Sequence, residues 1–325
     1  NGMLYPMHKM ENSDIFELFI PGLSCGQFYK FEIKNVQGDI IQMVDPYAVM
    51  NEEKENGASR MFDLGRFRWE DSRWLSKRYH GNVFKIPMSV CEVRISELDS
   101  PDEKVQEIVQ DMGHTHILLR GTPERAKLGV MLEISPEYLT RAVHLFEKKH
   151  PQAVNYLLAN ILFWIKEYHI DGFVFRGLSE NSSDFLEKAK EVIKKEDNSV
   201  LFIGEEIKGK QTRDFFDFEW NMELKAGVEE YLGTDFEKRQ GKYFCLSQPL
   251  MKGDFSNTLL LLNKEKNNLF DESLIDKKPS CDYDKLTGVR MSYGYLMGVP
   301  GRKAWDLHSH ENISSQEYVK SLIRI

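Results

Sequence analysis

From Pro87 onward the chain alternates short apolar runs with longer amphipathic segments, and this alternation restricts its fold more than any other feature. A repeated strand–helix pattern calls for a parallel sheet, because parallel neighbours need long crossovers that helices supply. Strand-like runs stand at Met88–Val93, Thr115–Leu119, Gly129–Ile134, Phe173–Phe175, Ser199–Ile203, Phe216–Trp220, Tyr243–Leu246 and Lys303–Leu307. Between them, Pro101–Met112 places Val105, Ile108, Val109 and Met112 at helical spacing. Pro151–Tyr168 is the best helix, with Val154, Leu157, Leu158, Ile161, Leu162 and Ile165 on one face and Pro151 suited to its first turn. Further helices are expected at Phe185–Lys195 and over residues 315–325.

One connection breaks the pattern. Only Arg120–Leu128 separates the second strand from the third, and a parallel crossover needs about a dozen residues or more. The reading therefore expects these two strands to pair antiparallel, or one of them to leave the sheet. An edge opened there would need cover, and an oligomer is one way to supply it.

The first 50 residues read differently. Ile15–Ile20 and Phe28–Ile33 alternate, Pro21-Gly22 and Asn35–Gly38 are turns, and Ile40–Val44 is a further strand. These predict a small antiparallel sheet. Residues 51–84 are polar, charged and carry Trp69 and Trp74, as a linker would. A composition of 41% hydrophobic and 12% aromatic residues supports a packed core. The net charge of −8 argues against nucleic acid and anionic membranes as partners. Cys25, Cys91, Cys245 and Cys281 are too dispersed for a zinc motif, and reduced thiols in a cytoplasmic protein are expected. Apolar runs such as Thr258–Leu262 are far too short to span a membrane.

The stretches Tyr168-His-Ile-Asp-Gly172, Phe218-Glu-Trp-Asn-Met222, Met112-Gly-His-Thr-His-Ile117 and Pro300-Gly-Arg-Lys303 resemble the glycogen (1,4-α-glucan) branching enzymes of the α-amylase superfamily. The resemblance implies an α/β fold: a reduced or incomplete (β/α)8 TIM-like barrel over residues 85–325, lacking its second helix and the family's inserted small domain. Before it would come part of an antiparallel β-sandwich, carbohydrate-binding-like module over residues 1–50, joined by residues 51–84. Both ends look cut, so a fragment or a shortened relative is expected. No cofactor or metal is implied. The implied partner is an α-glucan such as glycogen or a maltooligosaccharide.

Implied site residues are a different matter. Retaining glycosyl transfer needs a nucleophile and an acid/base carboxyl about 5–5.5 Å apart. The family's nucleophile position holds Arg176, a cation that cannot attack an anomeric carbon, and its active-site Arg position holds Val174. Glu205, in Ile203-Gly-Glu-Glu206, stands at the acid/base position. The Ser-His-Asp-Glu motif expected after the seventh strand matches Ser247-Gln-Pro-Leu250, with Gln248 for His and Pro249 for Asp. Glu133 replaces a third-strand Asp, and Tyr138 falls near an expected His. Arg176 is expected to pair with Glu205. His308, His310 and Glu311 fit no standard zinc spacing, and Trp69, Trp74, Trp220 and Trp305 fit packing better than sugar stacking. Two readings stand: a pseudoenzyme that binds or scaffolds α-glucan, and an active branching enzyme in which Glu133 or Glu180 serves as a displaced nucleophile.

Overall fold

The computed structural model describes residues 3–52, 57–94, 109–120, 129–144, 151–205, 215–251, 258–262, 290–306 and 313–323, apart from residues 14, 36, 46, 49, 64, 66–68, 70, 83, 84, 86, 135–138, 141, 222, 235 and 292 within those ranges. Two compact units share the chain: Asn1–Trp69 with Leu145–Glu167, and Glu70–His144 with Tyr168–Ile325. The helices used below are α1 (Ser72–His80), α2 (Pro151–Tyr168), α3 (Ser183–Glu196), α4 (Glu223–Gly233), α5 (Phe244–Met251) and α6 (Ile313–Ile323).

Among the described residues the first unit holds three small antiparallel sheets instead of the one expected. Strand β1 (His8–Lys9) pairs with β2 (Phe16–Glu17). The alternating run from Phe28 splits at Lys30 into β3 (Phe28–Tyr29) and β4 (Phe31–Lys34), which take different partners. β4 forms a hairpin with β5 (Ile40–Met43), turned at Gly38, whose φ of +93° favours glycine. β3 pairs with β7 (Ser59–Arg60), which also pairs with β6 (Met50–Asn51). The stretch read as a linker therefore contributes β7 to this unit and α1 to the other. On α2, Val154, Leu157, Leu158, Ile161 and Ile165 are buried along one face, as their spacing predicts.

The second unit is a closed barrel of eight parallel strands: β8 (Ser89–Arg94), β9 (His116–Arg120), β10 (Gly129–Ile134), β11 (Gly172–Phe175), β12 (Leu201–Glu205), β13 (Phe218–Asn221), β14 (Thr258–Leu262) and β15 (Arg302–Asp306). Each pairs with its sequence neighbour, and β15 closes on β8 through Lys303 opposite Ser89. This corrects the topology expected for the short connection. β9 and β10 are parallel neighbours, with His116 opposite Gly129 and Leu119 opposite Leu132. Their link, residues 121–128, lies outside the described residues.

A second correction concerns the seventh strand. The segment around Tyr243–Leu246 runs into α5, with Ser247 N–H bonded to the Tyr243 carbonyl. The seventh strand is instead Thr258–Leu262, whose four consecutive leucines suit a barrel strand covered on both faces. Inside the barrel, Met88, Val90, Leu118, Met131, Val174, Leu201, Ile203, Phe218, Trp220 and Ala304 form one core. A second core outside it joins Met112, Leu224, Val228, Leu260, Tyr293, Leu296, Val299 and Trp305, against which Tyr318 and Leu322 of α6 pack.

Asp171 organises the N-terminal end of the barrel. Its Oδ1 accepts from Trp74 Nε1 and Arg78 Nη1, both at 2.8 Å, and its Oδ2 accepts from Val130 N–H at 2.7 Å. Arg78 continues to Asp197 Oδ2 at 2.5 Å and to the carbonyls of His169 and Ile170. His169, at φ +51°, contacts Asp71 through Nδ1 at 2.7 Å, so it serves the turn. His116 meets Trp74 edge-on at 5.4 Å, and Gly129 leaves room for both rings.

Two outcomes follow. A Cβ on Gly129 would lie 2.3 Å from His116 Cδ2 and 2.7 Å from Trp74 Cζ2. Gly129→Ala should therefore cost about 1–3 kcal/mol in urea unfolding. Burial first, then the fields of Lys77 and Arg78, hold the His116 imidazole down at about 3, against 6.5 for a free histidine. The unfolded chain then takes up a proton before the folded one, so this stability is present at neutral pH and is lost as pH falls from 6.5 toward 3. Unfolding midpoints measured across that range should decline, and His116→Gln should flatten the decline.

Candidate functional site

The site follows from the two-residue period of a strand. Inward residues recur every second position, so Val90, Met131, Val174 and Ile203 in the core are each followed, two residues on, by an inward charge. Those charges are Glu92, Glu133, Arg176 and Glu205, and they come from four strands or the positions just after them. All four fall at the C-terminal ends, the face on which barrel loops assemble binding sites. Glu205 is the last residue of β12, as expected from its place in Ile203-Gly-Glu-Glu206.

Arg176 sits at the centre. Its Nη2 donates to Glu92 Oε2 at 3.2 Å. Its Nε lies 3.3 Å from Glu133 Oε2, within Coulomb reach but too poorly aligned for a hydrogen bond. The guanidinium carbon stands 4.5 Å from the centre of the Trp220 ring, a cation–π contact. The side chains of Arg176 and Glu92 are only 9% and 1% exposed. Burial opposes the arginine's charge, and Glu92, Glu133, the Glu92 hydrogen bond and lastly Glu205 outweigh it, so the pKa is raised and the cation persists.

The expected Arg176–Glu205 pair is thereby revised. Glu205 contributes to the field at Arg176, while the close partners are Glu92 and Glu133. Glu205 Oε2 accepts the N–H of Gly177 at 3.2 Å and so ties the turn after β11. Val174 is wholly buried in the barrel core. Glu180 opens a 3-10 turn and is exposed. Gln248 falls within α5 and not after a barrel strand, because the seventh strand is β14. The residues that follow β14 in sequence are Asn263, Lys264 and Glu265, and they lie outside the described residues with Tyr138, His308, His310 and Glu311.

Glu92 escaped the sequence reading, although a signal was present. It falls on the inward parity of Met88 and Val90, and a carboxylate there calls for a cation across the barrel. Trp220 and Trp305 are fully buried, and Trp74 serves Asp171, so these tryptophans pack as expected. No group of three or more His, Cys, Asp or Glu suited to a metal occurs among the described residues. No helix among them is long and apolar enough to cross a membrane.

An antiparallel module followed by a parallel barrel with its polar residues gathered at the strand ends is the architecture this chain shares with known proteins. Residues 1–48 match carbohydrate-binding module 48, the isoamylase N-terminal domain. The chain is 24% identical to the 1,4-alpha-glucan branching enzyme of Bacillus cereus, covering 99% of this chain and 68% of that enzyme. It is 26% identical to the branching enzyme of Fusobacterium nucleatum, covering 97% and 65%. A pullulanase from Paenibacillus barengoltzii, solved with maltohexaose and α-cyclodextrin, shares the fold with a TM-score of 0.58, at 13% identity over 91% of this chain and 71% of that one. The chain is thus similar to branching enzymes and spans about two thirds of the length of the curated ones it matches.

Removing the central cation should be costly. Arg176→Ala would leave Glu92 buried with its close cation gone, and breaking a buried pair costs about 3–5 kcal/mol. Arg176→Asp would add a further carboxylate and should be at least as damaging. Chemical denaturation of both variants against the parent checks this, and parental stability in either would show that the cluster is not buried in solution.

Proposed function

We infer that the chain is a non-catalytic, α-glucan-binding member of the branching-enzyme group. The observation that carries this reading is Arg176, a persistent cation seated at the nucleophile position and held by Glu92 and Glu133. A retaining enzyme needs a free carboxylate there. A guanidinium offers no lone pair for attack, and it occupies two of the carboxylates that would be nearest to hand. Its stacking on Trp220 further fills the mouth where a reacting sugar would have to sit. Glucan binding is supported by the match of residues 1–48 to a carbohydrate-binding module and by the relatives' names. A cytoplasmic role in glycogen metabolism, as binder or scaffold, fits this reading.

The competing reading is an active branching enzyme with displaced carboxylates. Glu133 and Glu205 both reach the mouth, but Glu133 is engaged by Arg176. A misplacement of about 1 Å can cost a hundredfold in rate, so a borrowed carboxylate is a poor substitute. Incubation with amylose should give no change in iodine staining and no new reducing ends. A fluorinated glucosyl donor should add no mass to the protein, and a glucosylated carboxylate would overturn the reading. Arg176→Asp should remain inactive, since Val174 still occupies the active-site arginine position.

A further inference from the structure

We propose that the outer face of α1 is a docking surface for an acidic segment of a partner protein. At about 100° per residue, Tyr79, Ser72, Ser76, His80, Arg73 and Lys77 follow one another around one side of the helix, and all six are exposed. The other side carries Trp74 and Arg78, both bonded to Asp171. The exposed side thus holds basic residues, serines and an aromatic ring, and no carboxylate, in a chain whose net charge is −8. The turn after the helix adds exposed Lys85. Elsewhere on the second unit Lys188, Lys242 and Lys320 each pair with a carboxylate, Glu191, Glu230 and Asp111 in turn. Among the described residues Arg73, Lys77, His80 and Lys85 form no ion pair.

Helix electrostatics account for part of this charge. Lys77 and His80 stand in the last turn, where a cation complements the negative end of a helix. Arg73 stands in the first turn, where the dipole favours an anion and α1 has none. The bonds of Arg78 to Asp171 and Asp197 hold the helix in place, so little order remains to be imposed on it by a partner. From Arg73 to His80 the face is about 10 Å long, which suits two or three carboxylates of a peptide. An extended polyanion would run past it onto a chain of its own sign. The Tyr79 ring, 58% exposed and 5.2 Å from the Arg78 guanidinium, offers apolar contact beside the charges. Cations flanked by an open aromatic ring favour a protein segment over a bare phosphate. This surface is independent of the α-glucan reading.

The test is fluorescence anisotropy of a fluorescein-labelled oligoglutamate peptide titrated with the full chain at low salt. The parent should bind it, and added salt should weaken binding, because exposed charges are screened. Arg73→Gln with Lys77→Gln and His80→Gln should bind roughly tenfold more weakly. Arg73→Lys keeps its charge and should bind as the parent does. Lys188→Gln with Lys195→Gln removes charge from exposed residues of α3 and should also bind as the parent does. Every substituted side chain is exposed, so thermal midpoints should stay at the parental value. A folded parent that does not bind the peptide at millimolar concentration would overturn the proposal. A loss in the α3 variant equal to that in the α1 variant would do the same, since overall charge would then explain the binding. Tighter binding of inorganic polyphosphate than of the peptide would overturn the assigned partner and give the face to a phosphate polymer.

Discussion

The carboxylate of Asp171 is the contact on which the closed barrel depends. One oxygen takes the backbone N–H of Val130 in β10, and the other takes the indole of Trp74 and the guanidinium of Arg78 from α1. Its own main chain bonds to Val130 and Leu201, so a single residue joins β10, β11 and β12 to the helix that precedes the barrel. A buried carboxylate with three donors, one of them a cation, is satisfied. Stripped of any of them it would become a penalty. That explains why α1 is held so firmly: Arg78 also spans to Asp197, and Trp74 shields His116. At the same end of the barrel β9 and β10 are joined through His116, Trp74 and Asp171.

The two ends of the barrel use buried charge for different ends. At the N-terminal end, one arginine faces two aspartates, and the arrangement joins elements distant in sequence. At the C-terminal end, one arginine faces two close glutamates and a third at greater range. In a barrel the second end is where chemistry is placed, and conservation of architecture there does not imply conservation of activity. Arg176 and Glu92 are there part of the packed interior.

Most strands were legible because their apolar runs are short and bounded by polar turns. The seventh was misplaced because Tyr243–Leu246 and Thr258–Leu262 are both short apolar runs, and periodicity alone cannot separate a buried strand from a short helix. That slip moved the expected polar motif onto Gln248 in α5. The run from Phe28 also looked like one strand, but the choice of partner broke it in two. Glu205 and Glu133 were found at the mouth because their strands were placed correctly. Glu92 was passed over, since nothing along its own strand announces an opposing cation from β11.

Sequence by itself determined the strand–helix alternation, the inward and outward parity of each strand, and the fall of Arg176 on the inward parity of Val174. These are properties of neighbours in the chain, governed by periods of 2 and 3.6 residues and by side-chain chemistry. Tertiary structure alone decided that the barrel closes across the short connection and which carboxylates hold Arg176. Each of those depends on residues tens of positions apart meeting at 3–5 Å, and local sequence carries no term for that distance.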